Sequence, residues 1–343
     1  MDNTRLTSRI LAPSQLDAPT VAAWERLQAA TPELASPFFS VHFARAVEKT
    51  GMRVRVCVLM SNGEPVGFLP YQLPDFAARL TGAAEPVGGV MSDYVGLIAA
   101  PNLRIAPTRL MQLAGIRSFG FSHLDEPQLA YGLEGSAPRI GLRLRLQGPD
   151  PLAAHLRDQN RYLRDSERLE RQLIRDVGPL EYCFDAREGR TSLLDDLIRH
   201  KRAQYQRTGA ADAMAAPWTT RLLHLLADTR HPSCSGQLST LYAGGTWLAT
   251  HFGLTGNGVL HHWMPVYNPD FSRYAPGRLL MHRMIQSCPE AGLGMIDHGE
   301  GDSPSKRHLS NEEHQYFRGA WHTSFPLNLP ARTYHSLKWR LNN

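Results

Sequence analysis

The sequence has few cysteines and no long apolar run. Its four cysteines, Cys57, Cys183, Cys234 and Cys288, lie far apart and form no Cys-x-x-Cys pair, which argues against a zinc framework and against a disulfide-rich secreted scaffold. We expect free, buried thiols in a reducing compartment. No stretch approaches the roughly 18 apolar residues of a membrane span, and the first residues lack the apolar core of a signal peptide. These absences predict a cytoplasmic protein.

Positive charge is in small excess. The 37 Lys and Arg residues against 32 Asp and Glu give a net charge of +5, and the pI is about 9.1. No basic block carries the excess, so it favours an anionic ligand and does not indicate DNA. At 343 residues with 42 % hydrophobic content, the chain is long enough for about two domains and is predicted to be folded.

The first half alternates between helical and strand patterns. Asn62-Gly63 is typical of a hairpin turn between two strands. The Gly-Pro-Asp-Pro run after the last strand of this half predicts a linker. The predicted elements are helices at 21–30, 40–51 and near 107–116, and strands at 53–60, 65–73 and 139–148.

A helix rich in arginine follows the linker, at 151–178. Its arginines recur every three or four residues and therefore share one face. This row predicts either a surface for a phosphate-rich partner or a solvated face with ion pairs within the helix, and the nearly equal number of acids favours the second. The arginines are Arg157, Arg161, Arg164, Arg168, Arg171 and Arg175.

The second half resembles the first in its order of elements, which suggests a duplicated domain. Glycines at 244–245 and 256–258 divide the segment 236–270 into three antiparallel strands. The other predicted elements are helices at 190–209, 219–230 and 275–292, a buried strand at 293–299 and a last strand at 322–330.

The junction 266–285 is the most informative local feature. A strand ends, a loop turns, and a helix begins with Pro276, Gly277 and Arg278. The first N–H groups of a helix and its positive end attract anions, and an arginine there strengthens the attraction. The junction predicts a phosphate site, or else an ordinary helix start for which Pro276 is well suited.

Residues around this junction resemble the CelD-type acyltransferases, which belong to the GNAT superfamily and are related to FemAB-like tandem-GNAT proteins. The resemblance covers most of the chain and is most specific over 240–306. It includes the helix with His200, Lys201, Arg202 and Tyr205, and the segments 36–47 and 93–101. The core motif residues are Tyr267, Pro269, Phe271, Tyr274, Pro276, Gly277, Leu279, Leu280, Asp297, Gly299, Gly301 and Lys306.

The resemblance implies an α/β, tandem GNAT-like fold with mixed central sheets flanked by helices. The implied domains are a degenerate copy at 1–148, the connecting helix at 149–178 and an acyltransferase domain at 179–343. The implied cofactor is an acyl-CoA, most simply acetyl-CoA, with FemAB-like use of aminoacyl-tRNA as the alternative donor. The carrier phosphates would then contact Arg273, Tyr274, Ala275, Gly277 and Arg278.

Acyl transfer needs a base for the acceptor and a polarised carbonyl. His251 and His262 lie on adjacent predicted strands and are candidate bases, and Asp297 is expected to face the cleft mouth and orient a histidine or hold an acceptor amine. A zinc site from His251, His261 and His262 is disfavoured because no carboxylate or cysteine has ligand spacing. We expect substrate contacts from Lys201, Tyr205, Trp263, Tyr267 and Lys306, the last in a polar loop.

Several enzyme classes lack their motifs. No Gly-x-Ser-x-Gly elbow, Walker loop or dinucleotide-binding fingerprint after a strand is present. The predicted function is therefore acyl transfer to an amine or hydroxyl of a small-molecule or glycan-related acceptor that enters between the two halves. A catalytically inactive GNAT-like binding module is the remaining alternative. We expect a monomer or homodimer.

Overall fold

The structure is a computed structural model that describes residues 6–148, 150–156, 160–324 and 326–342. In chain order the strands are β1 (Thr7–Leu11), β2 (Val54–Ser61), β3 (Glu64–Gln72), β4 (Ala83–Ala84), β5 (Ile98–Ala99), β6 (Ser118–Asp125), β7 (Ser136–Arg145), β8 (Leu180–Cys183), β9 (Ser235–Ala243), β10 (Thr246–Gly256), β11 (Val259–Tyr267), β12 (Met295–Glu300) and β13 (Glu312–His322). The α-helices are α1 (Ala18–Ala29), α2 (Val41–Lys49), α3 (Phe76–Thr81), α4 (Pro107–Ala114), α5 (Pro151–Leu156), α6 (Asn160–Asp176), α7 (Arg190–Thr208), α8 (Pro217–Asp228), α9 (Pro276–Ser287), α10 (Pro304–His308) and α11 (Leu329–Asn342).

The chain forms two compact units. Unit 1 takes the described residues of Met1–Ile140 and His314–Asn343, and unit 2 takes Gly141–Glu313. The C-terminal segment from His314 belongs to unit 1, whereas the predicted domains place it with the second half. Compactness does not test whether the halves are copies, so the boundaries 1–148, 149–178 and 179–343 stay a prediction.

Unit 1 holds an antiparallel sheet in the order β1-β2-β3-β5 and a second group in the order β4-β6-β13. The β2–β3 hairpin turns at Asn62 and Gly63 with φ of 52° and 87°, which is the left-handed geometry that an Asn-Gly turn adopts readily. Trp321 of β13 stacks on Phe119 of β6 at 5.3 Å between ring centroids. These contacts make β13 part of the unit 1 core.

Unit 2 has the strand order β7-β12-β11-β10-β9-β8. β11 and β12 are parallel, and the other neighbouring strands are antiparallel. Helix α9 packs its apolar face, including the buried Leu280 and Met284, into a core shared with Leu260 of β11 and Ile296 of β12. The mixed α/β fold predicted from the sequence is confirmed.

Two local predictions are wrong. Residues 322–330 do not form the last strand, because His322 is the final residue of β13 and the described residues after it lie in a bend, a turn and the start of α11. Pro326 and Pro330 lack the N–H that a strand ladder needs. The last strand is β13, which precedes this segment. Cys183 is exposed, whereas the other three thiols are free and buried as expected.

Candidate functional site

The two parallel strands of unit 2 separate partway along their length. Their register pairs are Val259 with Met295, Leu260 with Ile296 and His261 with Asp297, and the pairing ends there. β11 nevertheless continues to Tyr267 and β12 to Glu300. Beyond the last pair the two backbones are no longer paired with each other, so the space beside the side chains there is the candidate cleft.

Three histidines meet at the point where the strands part. The rings of His251 on β10 and His262 on β11 are stacked, with centroids 4.5 Å apart and planes at 14°. The ring of His298 on β12 stands edge-on to His262 at 5.5 Å. The prediction that adjacent strands bring His251 and His262 together is confirmed, and His298 is a third member that the sequence did not single out.

A glycine makes room for this arrangement. A Cβ placed on Gly253 of β10 would lie 2.4 Å from the backbone oxygen of His261 and 2.5 Å from Cε1 of His251. Real Cβ atoms do not approach other atoms so closely. The absence of a side chain at Gly253 therefore permits the position of the His251 ring.

The histidine cluster is held neutral at physiological pH. Burial lowers the pKa of His251 to about 3 and that of His298 to about 4. The pKa of the half-buried His262 is well below its ordinary value, because of desolvation and then because of its two histidine neighbours. A neutral imidazole has a lone pair that can accept a proton.

Hydrogen bonds fix which nitrogen of two rings carries the proton. The N–H of Trp263 donates to Nε2 of His251 at 3.2 Å, so the proton of neutral His251 is assigned to Nδ1. Nε2 of His298 donates to the carbonyl oxygen of Leu309 at 2.9 Å. The lone pair of His298 is therefore on Nδ1.

Asp297 lies inside β12 and is 1 % exposed. Its Oδ1 accepts the N–H of Gly299 at 2.8 Å, and its Oδ2 is 3.4 Å from Nε of Arg143 and 3.9 Å from Nδ1 of His261. The strand continues past Asp297, so the expectation of a carboxylate at the cleft mouth is wrong. A contact between Asp297 and the acceptor stays a prediction.

The backbone of each of the two separating strands accepts hydrogen bonds from a lysine ammonium. Lys201 of α7 is 9 % exposed and donates to the carbonyl oxygen of Pro265 on β11 at 3.1 Å. Lys306 donates to the carbonyl oxygens of His298 and Glu300 on β12 at 2.7 and 2.6 Å. Lys306 lies on the short helix α10, not in the predicted loop. Burial, and then the charge of Lys306, lowers the pKa of Lys201 to about 8.

The remaining predicted substrate residues surround the same strands. The Lys201 ammonium lies 5.5 Å from the ring centroid of Tyr205. Trp263 is half-buried on β11, with its ring 6.3 Å from that of Phe252. Tyr267 is 42 % exposed at the end of β11. Their binding roles stay predictions.

The predicted carrier site lies between β11 and α9, in the 3-10 helix Pro269–Tyr274 and the residues after it. Ala275 has φ of 52°, which is a strained value for a residue with a side chain. The N–H groups of Arg278 and Leu279 already donate to the carbonyl oxygen of Ala275. Pro276 has no N–H, so Gly277 supplies the main-chain donor that remains in the first turn.

Carboxylates of α6 hold the charged side chains of this site. Nη1 of Arg278 is 3.1 Å from Oδ2 of Asp165, and the Arg278 guanidinium lies 4.5 Å from the Tyr162 ring centroid. Buried Tyr274 donates its hydroxyl hydrogen to Asp176 at 2.9 Å and accepts from Arg273 at 2.5 Å. A phosphate at this position must therefore compete with α6.

The arginine row of α6 is exposed, and ion pairs join several of its members to acids of the same helix. The pairs are Arg168 with Asp165, Arg171 with Glu167 and Arg175 with Asp176. The second of the two predictions for this row is thereby supported. Arg157 lies outside the described residues.

Residues 160–307 match the model of the family described as "Acetyltransferase (GNAT) domain". No significant match was found among curated proteins. None of the helices in the described part of the chain is both long and apolar enough to cross a bilayer.

Several solved structures share the fold at low sequence identity. FemX is 11 % identical with a TM-score of 0.60, covering 95 % of this chain and 99 % of its own. The C-terminal domain of a putative lysylphosphatidylglycerol synthetase from Agrobacterium fabrum is 12 % identical with a TM-score of 0.55, covering 92 % and 95 %. A tandem GNAT protein from the clavulanic acid biosynthesis pathway is 16 % identical with a TM-score of 0.52, covering 93 % and 99 %. Residues 160–307, which lie within unit 2, thus match the GNAT domain model, and the chain shares its fold with these structures.

Proposed function

We propose that the protein transfers an acyl group from an acyl-CoA, most simply acetyl-CoA, to an amine or hydroxyl of a small-molecule or glycan-related acceptor. The observation that supports this most is the cleft between β11 and β12, lined by neutral histidines and flanked by two lysines. The CelD-type resemblance and the GNAT domain match point to the same chemistry.

His262 is the proposed base. It is half-buried, whereas His251 and His298 are buried, so an acceptor reaches His262 most easily. The acceptor nitrogen or oxygen attacks the thioester carbonyl carbon and gives its proton to His262. The carbon–sulfur bond then breaks, and the departing thiolate takes up the proton held by His262, which returns the imidazole to its neutral form. The stacked His251 keeps the His262 ring in place.

Lys201 and Lys306 are proposed to stabilise the negative charge that develops during the reaction. Carbonyl attack places negative charge on the carbonyl oxygen, and a fixed cation in a poorly solvated cleft stabilises that charge strongly. Lys201 and Lys306 are each held by backbone carbonyl oxygens of the strands that line the cleft. Of the two lysines, we assign Lys306, together with Asp297 of β12, to the side of the cleft that receives the acceptor.

The donor site is proposed at residues 273–278. Arg278→Glu is expected to weaken acetyl-CoA binding at least tenfold, about 1.4 kcal/mol, in isothermal titration calorimetry. Arg283→Glu is the matched control, because Arg283 pairs with Glu170 of α6 at 2.5 Å but lies farther along α9. Equal affinity of both variants and the parent would remove this loop from the donor site.

Turnover tests the base. His262→Ala is expected to lower kcat while acetyl-CoA affinity stays within about twofold. The buried His282 of α9 is the control, since it lies outside the three-histidine cluster. If His251→Ala and His262→Ala both retain full turnover in a folded protein, neither is the base.

An aminoacyl-tRNA donor is the alternative, and the FemAB-like resemblance and the net charge of +5 favour it. If the protein binds tRNA through its phosphates, its affinity for tRNA should fall steeply as the salt concentration is raised. Acyl transfer that needs aminoacyl-tRNA and ignores acetyl-CoA would establish this donor. Binding of neither donor would indicate an inactive binding module.

A further inference from the structure

Unit 1 carries large apolar side chains on its surface at α3. Phe76 and Leu80 are each 73 % exposed, and four residues of separation place them on the same side of the helix. Ala78 on the opposite side is fully buried. Leu337 of the neighbouring helix α11 is 55 % exposed. We call these three apolar residues, with Arg53 and Arg79, the α3 patch.

The exposure of the α3 patch is built into the fold. Asp75 caps α3 by accepting the N–H of Ala78 at 2.8 Å, and its other oxygen accepts the hydroxyl of Tyr334 on α11 at 2.6 Å. Lys338 of α11 is paired with Glu85. Phe76 and Leu80 therefore project from a helix that is fixed at its start and braced by α11.

Arginines flank these apolar side chains. Arg79 is on α3, and the carbonyl oxygen of Arg53 accepts the N–H of Leu73 at 3.0 Å, just before α3. Both arginines are exposed. Partial desolvation, and then the charges of Arg55 and Arg79, lower the pKa of Arg53, and this second cause agrees with a group of neighbouring cations.

The carboxylates next to the α3 patch already have hydrogen-bond or ion-pair partners other than its arginines. Asp75 is taken by the helix cap and Tyr334, and Glu85 by Lys338 and Gln72. Arg53 and Arg79 have no ion-pair partner in the described part of the chain. The surface therefore combines protruding apolar groups with uncompensated positive charge.

We propose that the α3 patch docks the protein on an anionic lipid surface. Phe76, Leu80 and Leu337 would enter the boundary between headgroups and acyl chains, and Arg53 and Arg79 would contact lipid phosphates. Amphipathic segments with large apolar side chains and arginines bind membranes in this way, and each cation near an anionic surface strengthens binding. Charge complementarity favours this partner over a second copy of a net positive chain.

Vesicle sedimentation of the full chain tests the proposal. The probes are vesicles of phosphatidylcholine alone and vesicles of phosphatidylcholine with phosphatidylglycerol. We expect the parent to bind the anionic vesicles at least about tenfold more tightly. Arg53→Gln/Arg79→Gln is expected to lose most of that preference, and Phe76→Ser/Leu80→Ser to lose at least about tenfold in binding.

Matched controls come from other surfaces. Ile10→Ser on β1, where Ile10 is 39 % exposed, and Arg199→Gln/Arg207→Gln on α7 are expected to bind like the parent. The proposal is overturned if the parent does not bind anionic vesicles, or if the α3 variants bind as well as the controls. It is also overturned if the parent self-associates without vesicles and Phe76→Ser/Leu80→Ser abolishes that association, because the patch would then belong to a second copy. Acyl transfer in solution is measured in parallel, so failure of this proposal and of the proposed function remain distinct.

Discussion

Lys201 is expected to reduce the stability of the folded protein at neutral pH. Its ammonium is buried, and its pKa falls from 10.5 to about 8. A difference of one in pKa corresponds to about 1.36 kcal/mol, so keeping the charge costs the folded state about 3 kcal/mol below pH 8. Lys201→Met removes this cost, but it leaves the carbonyl oxygen of Pro265 without its donor at a cost of about 1 kcal/mol. The expected net gain is about 2 kcal/mol.

The sign of the pH dependence makes this prediction specific. The folded pKa lies below the unfolded one, so the penalty is complete below about pH 8 and fades as pH rises toward 10.5. Urea unfolding of the parent and Lys201→Met at pH 6.5 and pH 10 measures the difference. Arg207→Met on the exposed side of α7 is the control and should change stability by less than about 0.5 kcal/mol. The same gain at both pH values, or no gain at pH 6.5, would refute the reasoning. A gain in stability together with lost turnover would show that the charge is retained for function.

Three further changes have defined outcomes. Asp165→Asn should tighten acetyl-CoA binding several-fold by calorimetry, because it frees the α9 guanidinium that it now pairs with, whereas Glu167→Gln should not. Gly253→Ala should destabilise the protein by at least about 2 kcal/mol in thermal unfolding, since its Cβ would meet a backbone oxygen at 2.4 Å. Gly277→Ala, which meets nothing closer than 3.9 Å, should leave the fold intact. His298 has its pKa lowered from 6.5 to about 4, so protonation favours the unfolded chain and stability falls as pH drops through this range. His298→Asn should flatten that loss in acid unfolding curves, and an unchanged slope would contradict the assignment.

The sequence predicts elements wherever local chemistry decides them. The Asn62-Gly63 turn, the glycine breaks between β9, β10 and β11, and the proline at the start of α9 all have local physical causes, and the structure confirms them. The sequence does not reveal β13, because charged residues such as Glu313 and Arg318 interrupt its apolar pattern. The apolar residues that follow suggest a strand, although the prolines among them cannot donate to one.

The candidate site is harder to predict, because it depends on pairing between distant segments. Alternation along β10 and β11 places His251 beside His262. Nothing in the sequence shows that β11 and β12 separate after His261, which is what brings His298 to the same point. The pairing of Arg278 with Asp165 is also hidden, because the acids of α6 have arginines of their own helix as equally plausible partners.

The discontinuity of unit 1 has a consequence for the synthesis of the protein. Unit 2 is one continuous stretch of the chain. Unit 1 cannot be completed until β13 has been synthesised, and β13 leaves the ribosome after unit 2. Until then β6 has an open edge, and Phe119 lacks the indole of Trp321 that later stacks on it. Open edges and uncovered aromatic rings are the surfaces on which nascent chains aggregate. The nascent first half is therefore expected to be most prone to aggregation before its own last strand is synthesised.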